Sequence, residues 1–365
     1  MGTCYAFSAA FRVAYVVGMT APALFQWRKG FFVVLGIKMQ ELPRHKTIRV
    51  FEGFAGYGGA TFGLRRSGIN FKVVGSSEND PFASELLKAN FPEVNNYGDI
   101  TAIDPKKLPD FDLFTGGFPC QPFSTAGLQN GEEDKYGRGT LFYDIFRIVN
   151  EKRPHYVLLE NVKGLKAKKF EPTFNRIKDL FKEMGYGEMA YAVLNSKDYG
   201  IPQNRERLWM FARLGGLPNG FSIIPEKVEL KHRFGDFLYP DEVKPELRLS
   251  DAQIAHLKVK HKIDSFDVPE PLCLDIYNKK IKWDAICITI TQPEHNSLRV
   301  IEPIKDGKER VRKMSVEEQF HFMGFEKGEL NFAGQSYSQL SKRAGNGWDV
   351  NLAGILLNHI FSQIL

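Results

Sequence analysis

From residue 47 onward, short runs dense in Val, Ile, Leu and Phe alternate with stretches in which apolar residues return every three or four positions. The runs 47–54 (TIRVFEGF), 71–76 (FKVVGS), 110–117 (DFDLFTGG), 155–161 (HYVLLEN) and 207–213 (RLWMFAR) predict strands buried on both faces. Residues 59–67, 80–90, 139–152 and 168–184 carry the spacing of amphipathic helices. Alternation of the two predicts an α/β fold built on a doubly wound, mostly parallel sheet, whose ligands sit at the carboxyl ends of the strands. Past residue 215 the pattern breaks. Eight prolines fall between 216 and 312, and only 250–262 reads as a long helix. This predicts a smaller, irregular, β-rich module. Helical periodicity returns over 315–323 and strongly over 348–364, a return too short to stand alone and expected to pack on the first domain. The expected division is therefore an extension at 1–46, a strand–helix domain at 47–215, the irregular module at 216–312 and the return at 313–365.

Composition narrows the class. With 365 residues, 43% hydrophobic and 25% charged, the chain is globular rather than disordered or fibrous. Cys4, Cys120, Cys273 and Cys287 stand singly with no C-x-x-C pair, which excludes a disulfide framework and a structural zinc site and predicts no metal. The net charge of +6 suggests nucleic acid, but residues 1–38 hold Arg12, Arg28, Lys29, Lys38 and no acid, so four of those charges belong to the leader. The uncharged run 13–27 is shorter than a membrane span and contains Gly18 and Pro22. A secretory signal and a transit peptide both fit such a leader. The preferred reading is an early start codon, with Met39 opening a cytoplasmic protein that makes no membrane contact.

Chemistry collects at the predicted strand ends. The first strand runs through Phe54-Ala55-Gly56-Tyr57-Gly58-Gly59 directly into a helix, a turn whose N–H groups can approach a nucleotide-type cofactor. Glu78 lies at the end of the next strand, where a carboxylate can accept from ribose hydroxyls, and Asp99 with Ile100 suits an adenine amine and ring. Position 61 is Thr, so the third glycine of the dinucleotide fingerprint is missing, which weakens an NAD-oxidoreductase reading. Pro119 and Pro122 bracket Cys120 and hold its thiol in a rigid bend. Glu160 ends the following strand, and Gln203, Arg205 and Arg207 alternate on one face of a later one.

Together FAGYGG, Glu78, Gly98-Asp99-Ile100, GFPCQPFS, Arg138-Gly139-Thr140-Leu141-Phe142, Glu160-Asn161-Val162, DYGIPQNRERLW, MSVEEQFHFMGF and Gly345-Asn346-Gly347 occur in the order seen in DNA (cytosine-5) methyltransferases, which the chain resembles over 47–215 and 313–365. The resemblance implies a Rossmann-like S-adenosylmethionine methyltransferase fold with a target-recognition domain at 216–312. It implies that Cys120 attacks C6 of a flipped-out cytosine and that Glu160 contacts ring N3 and the exocyclic amine. Arg207 would hold the C2 carbonyl, with Arg205 supporting the site. S-adenosylmethionine would be held by Phe54, Gly56, Gly58, Gly59, Glu78, Asn79, Asp99, Ile100, Pro119, Leu141 and Asn346. Double-stranded DNA would meet Gln121, Ser124, Gln203, Thr289 and Thr291. The glycine-bearing stretch 124–138 would close over the base. One position departs from the family: Gly347 stands where Ser is expected, and a backbone N–H is the expected replacement for its contact.

With no coiled-coil or apolar interface pattern in the sequence a monomer is expected, and the resemblance implies a bacterial, archaeal or phage source with a cognate restriction endonuclease as a possible partner. Residues 216–300 hold twelve Lys and Arg against thirteen Asp and Glu, so DNA contact must rely on local patches at 258–262 and 279–282. The rivals are the tRNA-modifying branch of the family and a catalytically inactive DNA-binding relative. The former typically carries Cys-Phe-Thr where this chain has Cys287-Ile288-Thr289; the latter usually loses the nucleophile or the acid, and both are present here.

Overall fold

The computed structural model describes residues 32–34, 37–39, 47–119, 141–295 and 297–365. Cys120, Gln121, Ser124 and the expected closing stretch 124–138 lie outside the described residues. Near the N-terminus, Phe32–Val34 pairs antiparallel with Ile37–Met39.

The central sheet has six strands: β1 (Ile48–Gly53), β2 (Phe71–Ser77), β3 (Leu113–Gly117), β4 (Tyr156–Val162), β5 (Ala190–Asn195) and β6 (Glu206–Arg213), in the order β2-β1-β3-β4-β6-β5. β1 pairs in parallel with β2 on one side and β3 on the other, and β3 pairs in parallel with β4. The strand order therefore switches direction at β1, which opens a crevice beyond its carboxyl end. The strand expected at 207–213 is present but runs antiparallel to β4 and β5. The segment 196–205 that leads into it holds a single 3-10 turn, Ser196–Tyr199, and no crossover helix, so the chain must reverse. β5 was not expected. Tyr191 and Val193 are exposed on its outer face, so apolar residues on both faces erase the alternation that marks a half-buried strand.

Helices cover both faces. On one lie α1 (Gly59–Arg66) and the last helix, α8 (Val350–Ser362), whose Leu356, Leu357 and Ile360 are fully buried at roughly 1.5–3 kcal/mol each. On the other lie α3 (Leu141–Lys152) and α4 (Glu171–Glu183). α2 (Pro81–Asn90) starts where Asp80 accepts from the N–H groups of Phe82 and Ala83 and Pro81 takes the first helical position. The last helix, α8, shares a buried core with α1 and β1.

The irregular module holds α5 (Asp251–His261) and a four-stranded antiparallel sheet of Lys280–Ile281, β7 (Leu272–Asp275), β8 (Leu298–Lys305) and β9 (Lys308–Arg312). Cys287–Ile288 pairs in parallel with Gln203–Asn204 and ties the module to the main domain. A buried ionic cluster makes a second tie. Arg312 meets Glu302 at 2.6 Å and Glu318 of α6 (Val316–His321) at 2.7 Å, and all three side chains are 2% exposed or less. α7 (Tyr337–Asn346), also unexpected, buries Ser341, Arg343 and Gly345 beside Leu340 and Ala344, too polar a face to register as apolar periodicity.

Candidate active site

The turn after β1 is held open by left-handed backbone. Phe54 has φ 53°, Gly56 58° and Gly58 90°. At Gly58 a Cβ would also come within 2.5 Å of the Phe91 ring, so only glycine fits. Glu78 is pinned against this turn: Oε2 accepts from the Gly56 N–H and Oε1 from the Asp80 N–H, both at 2.8 Å. Each oxygen keeps a further lone pair for a ligand hydroxyl. Asp99 accepts from Thr101 N at 2.9 Å and Asn79 Nδ2 at 3.3 Å, and the backbone bond from Thr101 holds its carboxyl below the usual range. Ile100 is buried with Phe54 packed against the same cluster. Glu78, Asn79, Asp99 and Gly56 are thus brought together around one crevice. Pro119 is exposed and Leu141 half-buried, and they flank residues 120–140.

The start of α1 carries a feature the sequence reading missed. Glu52, inside β1, is buried and accepts from Ala60 N at 2.8 Å, Thr61 N at 3.2 Å and Thr61 Oγ1 at 2.5 Å. Burial pushes its carboxyl up to about 7. Thr61, the residue that breaks the glycine fingerprint, is therefore the partner of the one acid in β1, at a buried position. That acid was the available signal.

At the end of β4, Glu160 is 8% exposed and Arg207 of β6 reaches its Oε1 through Nε at 3.0 Å. Burial raises the Glu160 carboxyl, while Arg207, Arg205 and a hydrogen bond from Trp348 oppose the shift. Next to it, Asn161 Nδ2 donates to the Phe118 carbonyl at 2.9 Å and anchors the chain that leads into Cys120.

Arg205 and Gln203 face elsewhere. Arg205 is fully buried and donates to the carbonyls of Ile290 (3.1 Å), Gly345 (3.1 Å) and Gly347 (2.7 Å), clamping the irregular module to the segment before α8. Burial lowers its guanidinium to about 9. Gln203, expected to meet DNA, is fully buried: Nε2 donates to Phe322 O at 2.6 Å and Oε1 accepts from Ile290 N at 3.0 Å. It is an interior cross-link, because the strand face it occupies is covered by the second module. Thr289 and Thr291 are half-buried, their hydroxyls donating to Asn204 O and His295 O. Asn346 Oδ1 accepts from Gln292 at 2.8 Å. In the basic patches, Lys258 pairs with Glu309 and Lys282 with Asp284, both at 3.0 Å, whereas Lys279 and Lys280 are exposed beside Tyr277 and Trp283.

The Gly347 N–H caps α7 by donating to Arg343 O at 2.9 Å. A Cβ at 347 would lie 2.2 Å from the Tyr57 hydroxyl, which donates to Trp348 O at 2.7 Å. Tyr57 fills the space a larger residue would need. Cys273 and Cys287 are fully buried thiols. Among the described residues no His, Cys, Asp and Glu cluster could hold a metal, and no helix is long and apolar enough to cross a membrane.

Comparison with known proteins agrees with this architecture. Residues 48–362 match the family described as C-5 cytosine-specific DNA methylase. The Type II methyltransferase M.SsoII of Shigella sonnei is 42% identical over 206 residues, 56% of this chain and 53% of that protein, so the match spans about half the relative's length. The Type II methyltransferase M.NgoBI of Neisseria gonorrhoeae is 35% identical over 313 residues, covering 84% of this chain and 90% of that one. In fold, the chain superposes on a Spodoptera frugiperda DNMT2 mutant with a TM-score of 0.67 at 21% identity, covering 86% of this chain and 99% of that structure. The match over most of the chain shows that the protein belongs to the C-5 cytosine-specific DNA methylase family.

Proposed function

We propose that the protein transfers a methyl group from S-adenosylmethionine to C5 of a cytosine flipped out of double-stranded DNA, through a covalent adduct with Cys120. The observation that carries this reading is the buried Glu160–Arg207 pair, one strand from the Pro119 that leads into Cys120. Cytosine C5 is a poor nucleophile. A Cys120 thiolate adding to C6 forms an S–C bond and turns the ring into an enamine whose C5 can take a methyl group. Glu160, with Arg207 beside it, would meet N3 and the exocyclic amine and favour the protonated ring as the thiolate adds. Loss of the C5 proton then expels Cys120 and restores the aromatic ring.

The crevice beyond β1 fits the methyl donor better than a dinucleotide. A pyrophosphate would need the free N–H groups at the start of α1. Glu52 already occupies those of Ala60 and Thr61, which leaves an acidic rather than an anion-binding helix start. Glu78 suits ribose hydroxyls and Asp99 an adenine amine. Bound S-adenosylmethionine supplies an electrophilic methyl group on a cationic sulfur. Extrusion of the base costs a few kcal/mol of stacking and pairing, and the exposed Lys279 and Lys280 beside Tyr277 and Trp283 offer phosphate and stacking contacts on the recognition module. A cognate endonuclease sharing the target sequence belongs to the same reading.

The test incubates purified protein and labelled S-adenosylmethionine with duplex DNA or tRNA. Label is expected in DNA as 5-methylcytosine, and Cys120→Ser is expected to abolish transfer while cofactor binding survives. Label confined to tRNA, or full activity in the Cys120→Ser variant, overturns the proposal.

A further inference from the structure

We propose that Trp348 is a positioning residue for Glu160, its indole N–H holding the carboxylate oxygen that Arg207 leaves free. This rests on the reading of Glu160 as the group that meets the cytosine ring. Arg207 Nε takes Oε1 at 3.0 Å. The other oxygen, Oε2, and the indole Nε1 share the space over Gly117, where a Cβ would lie 2.7 Å from Nε1 and 3.1 Å from Oε2. The bare Cα of Gly117 is what gives both atoms room on the same side of the strand, and the indole lowers the carboxyl as a donor facing it would.

The indole is fixed from every side. It is 7% exposed and stands edge-on to Trp209 with ring centroids 4.8 Å apart. Its own carbonyl accepts from Tyr57, the preceding carbonyl accepts from Arg205, and Asp349, the next residue, caps α8. An indole N–H can only donate, so it stabilises the ionised carboxylate and fixes its plane. Burial of Glu160 works against its ionised form. Arg207 and Trp348, meeting it at different oxygens, leave it ready to share a proton with the ring.

The first measurement needs no substrate. In the full chain labelled at tryptophan nitrogen, the Trp348 Nε1–H resonance, identified by its loss in Trp348→Phe, is expected to move in Glu160→Gln, while that of exposed Trp283 stays in place. An unmoved Trp348 resonance overturns the proposal. The second uses activity. Trp348→Phe keeps the packing on Trp209 and loses the donor, so kcat is expected to fall about tenfold, with the KM for S-adenosylmethionine within about threefold of the parent. The limb of the pH–rate profile that belongs to Glu160 is expected to move to higher pH, and Trp348→His, which keeps an N–H, to recover part of the loss. An unchanged kcat, or a fall in kcat with an unmoved profile, assigns Trp348 to packing alone and overturns the proposal. Failure of the parent protein to methylate DNA would instead count against the functional reading, while the resonance still reports the hydrogen bond.

Discussion

Gly347→Ser would restore the hydroxyl that the family leads one to expect, and the structure says it harms this chain. A Cβ at 347 falls 2.2 Å from the Tyr57 hydroxyl and within 2.3 Å of its ring, more than 1 Å inside ordinary contact. Tyr57 cannot swing aside. It is 2% exposed and wedged edge-on against Phe320 and Phe325 at 5.5 and 5.4 Å. Overpacking of this severity is expected to cost about 3 kcal/mol. Tyr57→Leu alone removes the hydroxyl bond to Trp348 O and part of the aromatic contact, for about 2 kcal/mol. Independent effects would total about 5 kcal/mol, whereas relief of the overlap should leave the double variant only about 2–3 kcal/mol below the parent, a coupling of about 2–3 kcal/mol. Urea unfolding of the four proteins at constant m measures it. The segment concerned leads into Trp348, so titration with S-adenosylmethionine should show the same order, with Gly347→Ser weakest. Stability changes that add to within about 0.5 kcal/mol would refute the reasoning.

Two further predictions concern buried charge. Burial raises the Glu52 carboxyl from its ordinary value to about 7. The folded state holds that proton more tightly than the unfolded chain, so this group's stabilisation is complete below about pH 4.5 and is lost as pH rises through 7, by about 3 kcal/mol at most. Glu52→Gln should flatten that part of the stability–pH curve, and an unchanged slope in urea titrations at pH 5 and 7.5 would contradict it. Arg312→Met strands Glu318 in the interior, while Glu302 keeps Arg248 and Arg310, and is expected to cost about 3–5 kcal/mol in chemical unfolding. Glu318→Gln in the same chain should recover much of the loss; an Arg312→Met variant no less stable than the parent would refute the reasoning.

The parts of the site that were legible in the sequence are those set by one strand end and its own turn. Gly56, Glu78 and Asp99 lie where a parallel sheet puts its ligands, and apolar runs locate those ends without knowledge of the partner strands. Gln203 and Arg205 were legible only halfway. Their alternation places them correctly on one face, but whether that face meets DNA or protein depends on the second module, whose irregular sequence carries no periodic signal. Arg205 shows the consequence. A guanidinium near the site looks like a ligand group, yet its Nη1 and Nη2 donate to three carbonyls from two distant segments. Tyr57 and Gly347, 290 positions apart, share one space that neither position reveals alone.

The same logic bears on the cofactor. A glycine-rich turn entering a helix signals a nucleotide, and the missing third glycine was the only hint against pyrophosphate. The group that bears on the proposed cofactor is Glu52, two residues upstream of Phe54, where the turn begins. Its oxygens take the second and third N–H groups of α1, those of Ala60 and Thr61. A phosphate approaching that helix would have to displace a buried side chain held by three hydrogen bonds, each worth about 1 kcal/mol or more. A cationic methyl donor meets no such barrier, and ionised Glu52 would attract it. The acid inside the strand therefore separates the two cofactor classes more sharply than the glycines do.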